Sequence, residues 1–422
     1  MWKACLALFF AAALCGGCAS ILEGEETIVT EHTVLTRPEI TARSVEASDF
    51  EELRAAVLGF VSSHDDMGAI SVYGYDGDID EDLARACREV SEDTPIGAFA
   101  VSDMAWSVSK IVSYYEVEIN IAYRRTRSQL DGMVMASSQR FLRSELLNIM
   151  SRYSETAVIY TRLGDITEDD IRGYIEEIYY ENPLEIIMLP VVGVEIFPES
   201  GNERIVEITL GQRNPPGISL TYTAGLVRAA RNIAEAASGE SDGEILLDLL
   251  ERLTDASEYD ADAARIGQYS TQNFNATAYG ALVYGAAIGE GYAMAYKALC
   301  DELGLECTVA LGERGSYMHA WNIVRVNDDY YHIDASMCDV NGAGTAFLRN
   351  DAEMAQDGYI WAAGRYPACS GPLKYADFAS AEDGEPESEA EAEAGGEPVG
   401  EGEAGGEPVG EGAQEVTPPS LP

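Results

Sequence analysis

Positive charge is scarce in this chain. Over 422 residues, 27 Lys and Arg stand against 73 Asp and Glu, a formal net charge of −46. Such a surface repels polyanions, so no nucleic-acid partner is expected. Long apolar runs are missing after the N-terminus, and none there could span a bilayer. Beyond the first eighteen residues no two cysteines show Cys-x-x-Cys spacing, which argues against zinc; no metal or cofactor is expected. From Ala381 onward Lys, Arg and aromatic residues are all lacking, and Glu393 to Gly402 recurs unchanged at Glu403 to Gly412. A segment so poor in apolar side chains cannot offset its ordering entropy, so 381–422 is expected to be a disordered acidic tail without a catalytic role.

At the other end, Lys3, the apolar run from Ala4 to Leu14 and Cys15-Gly16-Gly17-Cys18 have the form of an exported protein's targeting segment. The final four residues resemble a bacterial lipobox, which implies lipidation of Cys18 and removal of 1–18. The alternative is an ordinary signal peptide cut after Ala19. Lipidation would place the protein outside the cytoplasm and make the membrane a partner through the anchor. Export permits disulfides, and Cys338 with Cys369 is the pair to test first, although sequence does not fix connectivity.

Residues 19–45 read as a polar tether. Two α+β modules are then expected, at 46–135 and 136–222, because Gly77-Asp78-Ile79-Asp80-Glu81-Asp82 matches Gly164-Asp165-Ile166-Thr167-Glu168-Asp169 and Val117-Glu118-Ile119 matches Val206-Glu207-Ile208. In each copy a helix (50–63; 142–153) precedes a strand (69–73; 156–161). A second helix follows, capped by the Asp or Thr after Gly-Asp-Ile, and two strands close the unit, the last alternating (116–123; 204–211). Chance similarity of short acidic helix starts is the alternative. Helical patterns follow at 223–237 and 244–253, the second ended by Tyr259-Asp260.

The pattern that carries chemistry comes next. A small-residue stretch, Gly285-Ala286-Ala287-Ile288-Gly289-Glu290-Gly291-Tyr292-Ala293, leads into a helix expected over 290–303, with Tyr292, Ala295, Tyr296, Leu299 and Leu303 on one buried stripe and Gly304 as its stop. His319-Ala320-Trp321-Asn322 and Tyr331-His332-Ile333-Asp334 follow on two strands. The turn cluster 327–329 predicts a two-residue hairpin, in which facing residues have odd index sums; His319 and Asp334 then share a face and meet diagonally, with Trp321 and His332 on that same face.

This order resembles the transglutaminase-like superfamily of papain-fold cysteine enzymes, most closely in the last third of the folded chain. The later segments Phe347-Leu348, Tyr359-Ile360-Trp361 and Tyr366-Pro367-Ala368-Cys369 resemble that family's closing strands. The resemblance implies a triad in which a thiol at position 289, at a helix N-terminus, gives its proton to His319 while Asp334 orients the imidazole. Position 289 is glycine. Glu290, Tyr292 and Trp321 are candidate groove residues, with core packing the competing role for Trp321; His332 is expected to be structural.

The fold class expected is thus α+β: a papain-like or transglutaminase-like core, a helix packed on an antiparallel sheet over 223–380, preceded by the two modules. The function expected is a lipid-anchored pseudoenzyme that binds peptide or cell-wall stem peptide. The alternatives are an amide hydrolase or transferase using another nucleophile, and a surface spacer with an unused groove.

Overall fold

The computed structural model describes residues 44–266 and 273–379. Cys18, nearly all of the 19–45 tether and the 381–422 tail lie outside them. The fold is mixed α+β, with three four-stranded sheets among the described residues. No described helix is long and apolar enough to cross a membrane.

The first unit runs β1 (Val45–Ala47), α1 (Phe50–Ser63), β2 (Met67–Tyr73), α2 (Ile79–Asp93), α3 (Pro95–Ala100), β3 (Val101–Ile111) and β4 (Tyr114–Tyr123). After α4 (Arg127–Asp131) the second runs β5 (Val134–Ala136), α5 (Gln139–Ser151), β6 (Thr156–Thr161), α6 (Glu168–Glu181), β7 (Val191–Phe197) and β8 (Arg204–Gly211). The sheets have equivalent orders, β1-β2-β4-β3 and β5-β6-β8-β7. Register is equivalent too: Val45, Ile70 and Val117 lie side by side in one, and Val134, Ile159 and Val206 in the other. Alternation in β4 turns Val117, Ile119 and Ile121 onto the buried faces of α1 and α2, where Leu53, Val57 and Leu83 wait. A small cluster of Phe99, Ala100, Leu130 and Ile205 joins the two units, backed by an Arg125–Glu207 ion pair.

Two expectations from the sequence are corrected here. The cap of α2 is Asp78, not Asp80: its carboxylate accepts from the Glu81 amide, and starting the helix at Ile79 buries that side chain in the core. In the second unit Thr167 does cap α6. The strand β5 straddles the 135/136 boundary, and its pairing with β6 assigns it to the second sheet.

The third region comprises α7 (Pro216–Glu235), α8 (Asp242–Ala256), β9 (Glu258–Tyr259), α9 (Ala261–Ile266), β10 (Ala286–Ala287), α10 (Gly289–Leu303), β11 (Cys307–Arg314), β12 (Tyr317–Val326), β13 (Asp329–Ile333), α11 (Ala335–Asn341), α12 (Asp351–Gln356) and β14 (Tyr359–Trp361). Helix α7 starts ahead of the expected 223 because Pro216 occupies its first position, where a missing N–H is no loss. The sheet order is β13-β12-β11-β14, all antiparallel. Helix α10 packs on this sheet with one side and on α7 and α8 with the other, so it is buried nearly all round rather than along one stripe. Leu303, expected inside, is 39 % exposed in the last turn before the left-handed Gly304.

All five described cysteines are free and buried, so the Cys338–Cys369 disulfide is not formed. The sheet separates the two. Cys338 belongs to the core around α10, whereas Cys369 sits with Trp321, Met354 and Tyr359 on the opposite face.

Candidate active site

The β12–β13 hairpin turns through Asn327 and Asp328, with Asn327 in the left-handed region (φ 57°). Register runs from Val326 opposite Asp329 to Asn322 opposite Ile333. One step further sets Asp334 beside position 321, a diagonal from His319. The pair closes: His319 Nε2 lies 2.6 Å from Asp334 Oδ2. Asp334 also caps α11, accepting from the Met337 amide at 3.1 Å, the Ser336 hydroxyl at 2.7 Å and the Tyr359 hydroxyl at 2.6 Å. Burial works to raise this carboxyl, but His319 and the two hydroxyls outweigh it and hold it down at about 2. That many donors hold the carboxylate in place and resist rotation of the imidazole it grips.

The other ring nitrogen faces Gly289. A Cβ placed there would lie 2.9 Å from His319 Nδ1, 2.7 Å from Cε1 and 3.4 Å from Ser336 Oγ. The imidazole therefore occupies space that any side chain at 289 would need. Gly291 serves close packing, since a Cβ there would meet the Asn275 carbonyl at 2.4 Å.

A cleft of about 780 Å³ opens at this point. Its walls are the start of α10 (Ile288, Gly289, Glu290), the sheet residues Arg314 and His319, and Glu176 and Tyr180 from α6 of the second unit. No cysteine, serine or threonine lines it among the described residues. Helix α10 has no side-chain cap at Ile288, leaving its first turn uncapped at the cleft. Glu290 accepts a hydrogen bond from the Tyr180 hydroxyl at 2.8 Å. Burial pushes its carboxyl up to about 7, with the Glu176 charge adding to the rise and the Tyr180 bond opposing it.

Of the groove candidates, then, Glu290 lines the cleft and two others do not. Trp321 is fully buried in the aromatic layer with Tyr359, its indole N–H donating to His332 Nδ1 at 2.9 Å. Tyr292 points into the core, its hydroxyl 2.7 Å from Asp339 Oδ2 and 2.9 Å from the Ser257 carbonyl. Tyr292 lies on the stripe expected to be buried, Trp321 on the face it shares with His319, and each is covered by packing instead of a ligand.

His332, Asp351 and Cys369 bring three ligand-type atoms within 4.8 Å of one another. Their bonding leaves no lone pair for a metal on the ring. Because Trp321 donates to Nδ1, the ring proton sits on Nε2, which donates to Asp351 Oδ1 at 2.9 Å. Burial keeps His332 toward its neutral form against the pull of Asp351, and pushes the Cys369 thiol up to about 12. The trio is a structural network.

Arg314, Glu176, Tyr180 and Ser336 belong to the site but carried no sequence expectation, whereas Tyr359 was expected only as part of a closing strand. For Arg314 a signal existed: Gly315-Ser316 is a second two-residue turn, pairing Arg314 with Tyr317 and Gly312 with His319.

No protein-family model and no curated protein matches the chain. Among solved structures it is similar to a TGase (12% identity, TM-score 0.26, 49% of this chain and 59% of that one). It is also similar to a candidate cysteine protease from Cytophaga hutchinsonii (12%, 0.24, 40% and 65%). A third likeness is to a candidate protease from Parabacteroides distasonis (10%, 0.20, 66% and 41%). The chain thus spans less than two thirds of each of these structures.

Proposed function

We propose that this protein is a transglutaminase-like, papain-like scaffold without thiol chemistry, which uses its cleft to bind peptide, cell-wall stem peptide included. In this reading it is exported and held at the membrane by a lipid on Cys18. The observation that carries it is the pairing of an intact His319–Asp334 couple with a glycine at the spot the free ring nitrogen faces. A general base and its orienting carboxylate are present, and the group they would activate is not. What is left is a cleft of ligand size with polar groups converging on it.

The test is a calorimetric titration of short acetylated peptides, run beside an amide-turnover assay. Saturable binding without turnover is expected. Turnover abolished by His319→Ala would overturn the proposal in favour of a hydrolase or transferase. That second reading draws on Glu290, whose near-neutral carboxyl lines the same cleft and could exchange a proton with water. Absence of binding by any peptide would leave the spacer. Descent is tested separately by Gly289→Cys. Once the imidazole has moved aside, the thiol should react with iodoacetamide faster than a free cysteine at neutral pH. Mass spectrometry of the mature N-terminus checks the anchor; a chain cut after Ala19 would remove it.

A further inference from the structure

Arg314 is the least explained residue of the cleft. In a chain with 73 acidic residues for 27 basic ones, a guanidinium usually finds a carboxylate. Arg314 has no ion pair and no side-chain hydrogen bond among the described residues, and its Nε is buried without a partner. Its guanidinium lies over the ring of Tyr359, 5.4 Å away, the same tyrosine that donates to Asp334. The neighbouring Arg265 differs, being exposed and paired with Asp262.

Its position is set by register. Arg314 faces Tyr317 on β12 and Tyr359 on β14, and Gly312 faces His319. Arg314 and His319 therefore share the cleft face of the sheet as diagonal neighbours, roughly 7–8 Å apart at their Cβ atoms. The uncapped start of α10 borders the same space. Glu176 and Glu290 line the cleft beside Tyr180, which bonds Glu290, so the two carboxylates are gathered at the Tyr180 wall.

We infer that the cleft selects ligands carrying a carboxylate, which Arg314 grips while the adjoining amide lies over Gly289 and His319. This rests on the peptide-binding reading above and names the chemistry of its ligand. A guanidinium fork matches a carboxylate with two parallel hydrogen bonds, which its terminal Nη groups would supply here. The carboxylate could be a peptide's C-terminus or an acidic side chain.

Three probes separate these possibilities against the full chain: N-acetyl trialanine with a free C-terminus, its carboxamide, and the carboxamide with glutamate in the middle. Calorimetry or ligand-observed NMR gives the affinities. The inference expects at least one carboxylate probe to bind about 10- to 100-fold tighter than the neutral carboxamide, as a charge-assisted bond would provide. Which probe wins identifies the source. Arg314→Gln should reduce that advantage to near zero, and Arg314→Lys should retain part of it. Equal affinity for all three probes would overturn this inference and leave peptide binding standing. Binding by none would remove both.

Discussion

Glu290 offers the most direct quantitative test of the site's electrostatics. Its carboxyl is raised from 4.5 to about 7, burial being the largest cause. Below pH 4.5 both folded and unfolded chains hold the proton, and folding is unaffected. Between 4.5 and about 7 only the folded chain holds it, so stability declines as pH rises; above that the whole penalty is in force. A rise of this size corresponds to on the order of 3 kcal/mol. That is a ceiling, since the carboxyl borders an open cleft. Glu290→Gln removes the charge and keeps an oxygen able to accept from Tyr180. Wild type and variant are expected to match near pH 4.5, and the variant to gain up to about 3 kcal/mol by about pH 8. Urea unfolding across that range measures the gap, and groups common to both proteins cancel. A gap flat with pH refutes the desolvation argument, and so does a carbon-13 titration of Glu290 with its midpoint near 4.5.

Three further outcomes follow from the same geometry. Asp334 is held at about 2 against an ordinary 3.8, so its contribution is present above 3.8 and is lost as pH falls toward 2. Asp334→Asn should therefore lose about 2 kcal/mol at neutral pH, with the deficit closing in acid, as read by denaturant unfolding. Gly289→Ala should lose about 1–3 kcal/mol, because its Cβ meets the fixed imidazole; adding His319→Ala should erase most of that extra loss, a non-additivity visible in a double-mutant cycle. Trp321→Phe strands the buried His332 Nδ1 and should lose about 1–3 kcal/mol without changing peptide affinity, as calorimetry would show.

Local chemistry made parts of this structure legible. The hairpin register was readable because Asn327 and Asp328 are turn residues, and a two-residue turn fixes which residues face each other. That placed Asp334 against His319. Cladding of each sheet face was not readable. Trp321 shares a face with His319, yet β14 and α12 cover it while the strand's other end stays open. The disulfide expectation failed for the same reason, since sequence does not say that Cys338 and Cys369 lie on opposite sides of a sheet. Tyr180 meets Glu290 across 110 positions of chain, a contact with no local signature.

The duplication shows how the cleft acquired that wall. Helix α2 of the first unit corresponds to α6 of the second in element order and sheet topology, and Cys87 and Ser91 lie along it. In the first unit those residues border only a shallow hollow of about 370 Å³ beside β3. In the second, Glu176 and Tyr180 of α6 close the cleft, and the Tyr180 hydroxyl meets Glu290. Equivalent topology has been put to two uses, and only one copy is part of the site. A chain begun at Pro216 would keep His319, Asp334 and Arg314 but lack Tyr180 and the wall that desolvates Glu290. The Glu290 carboxyl should then fall back toward 4.5. If it stays near 7 in such a fragment, the burial arises within the last region, and the second unit has no part in shaping the cleft.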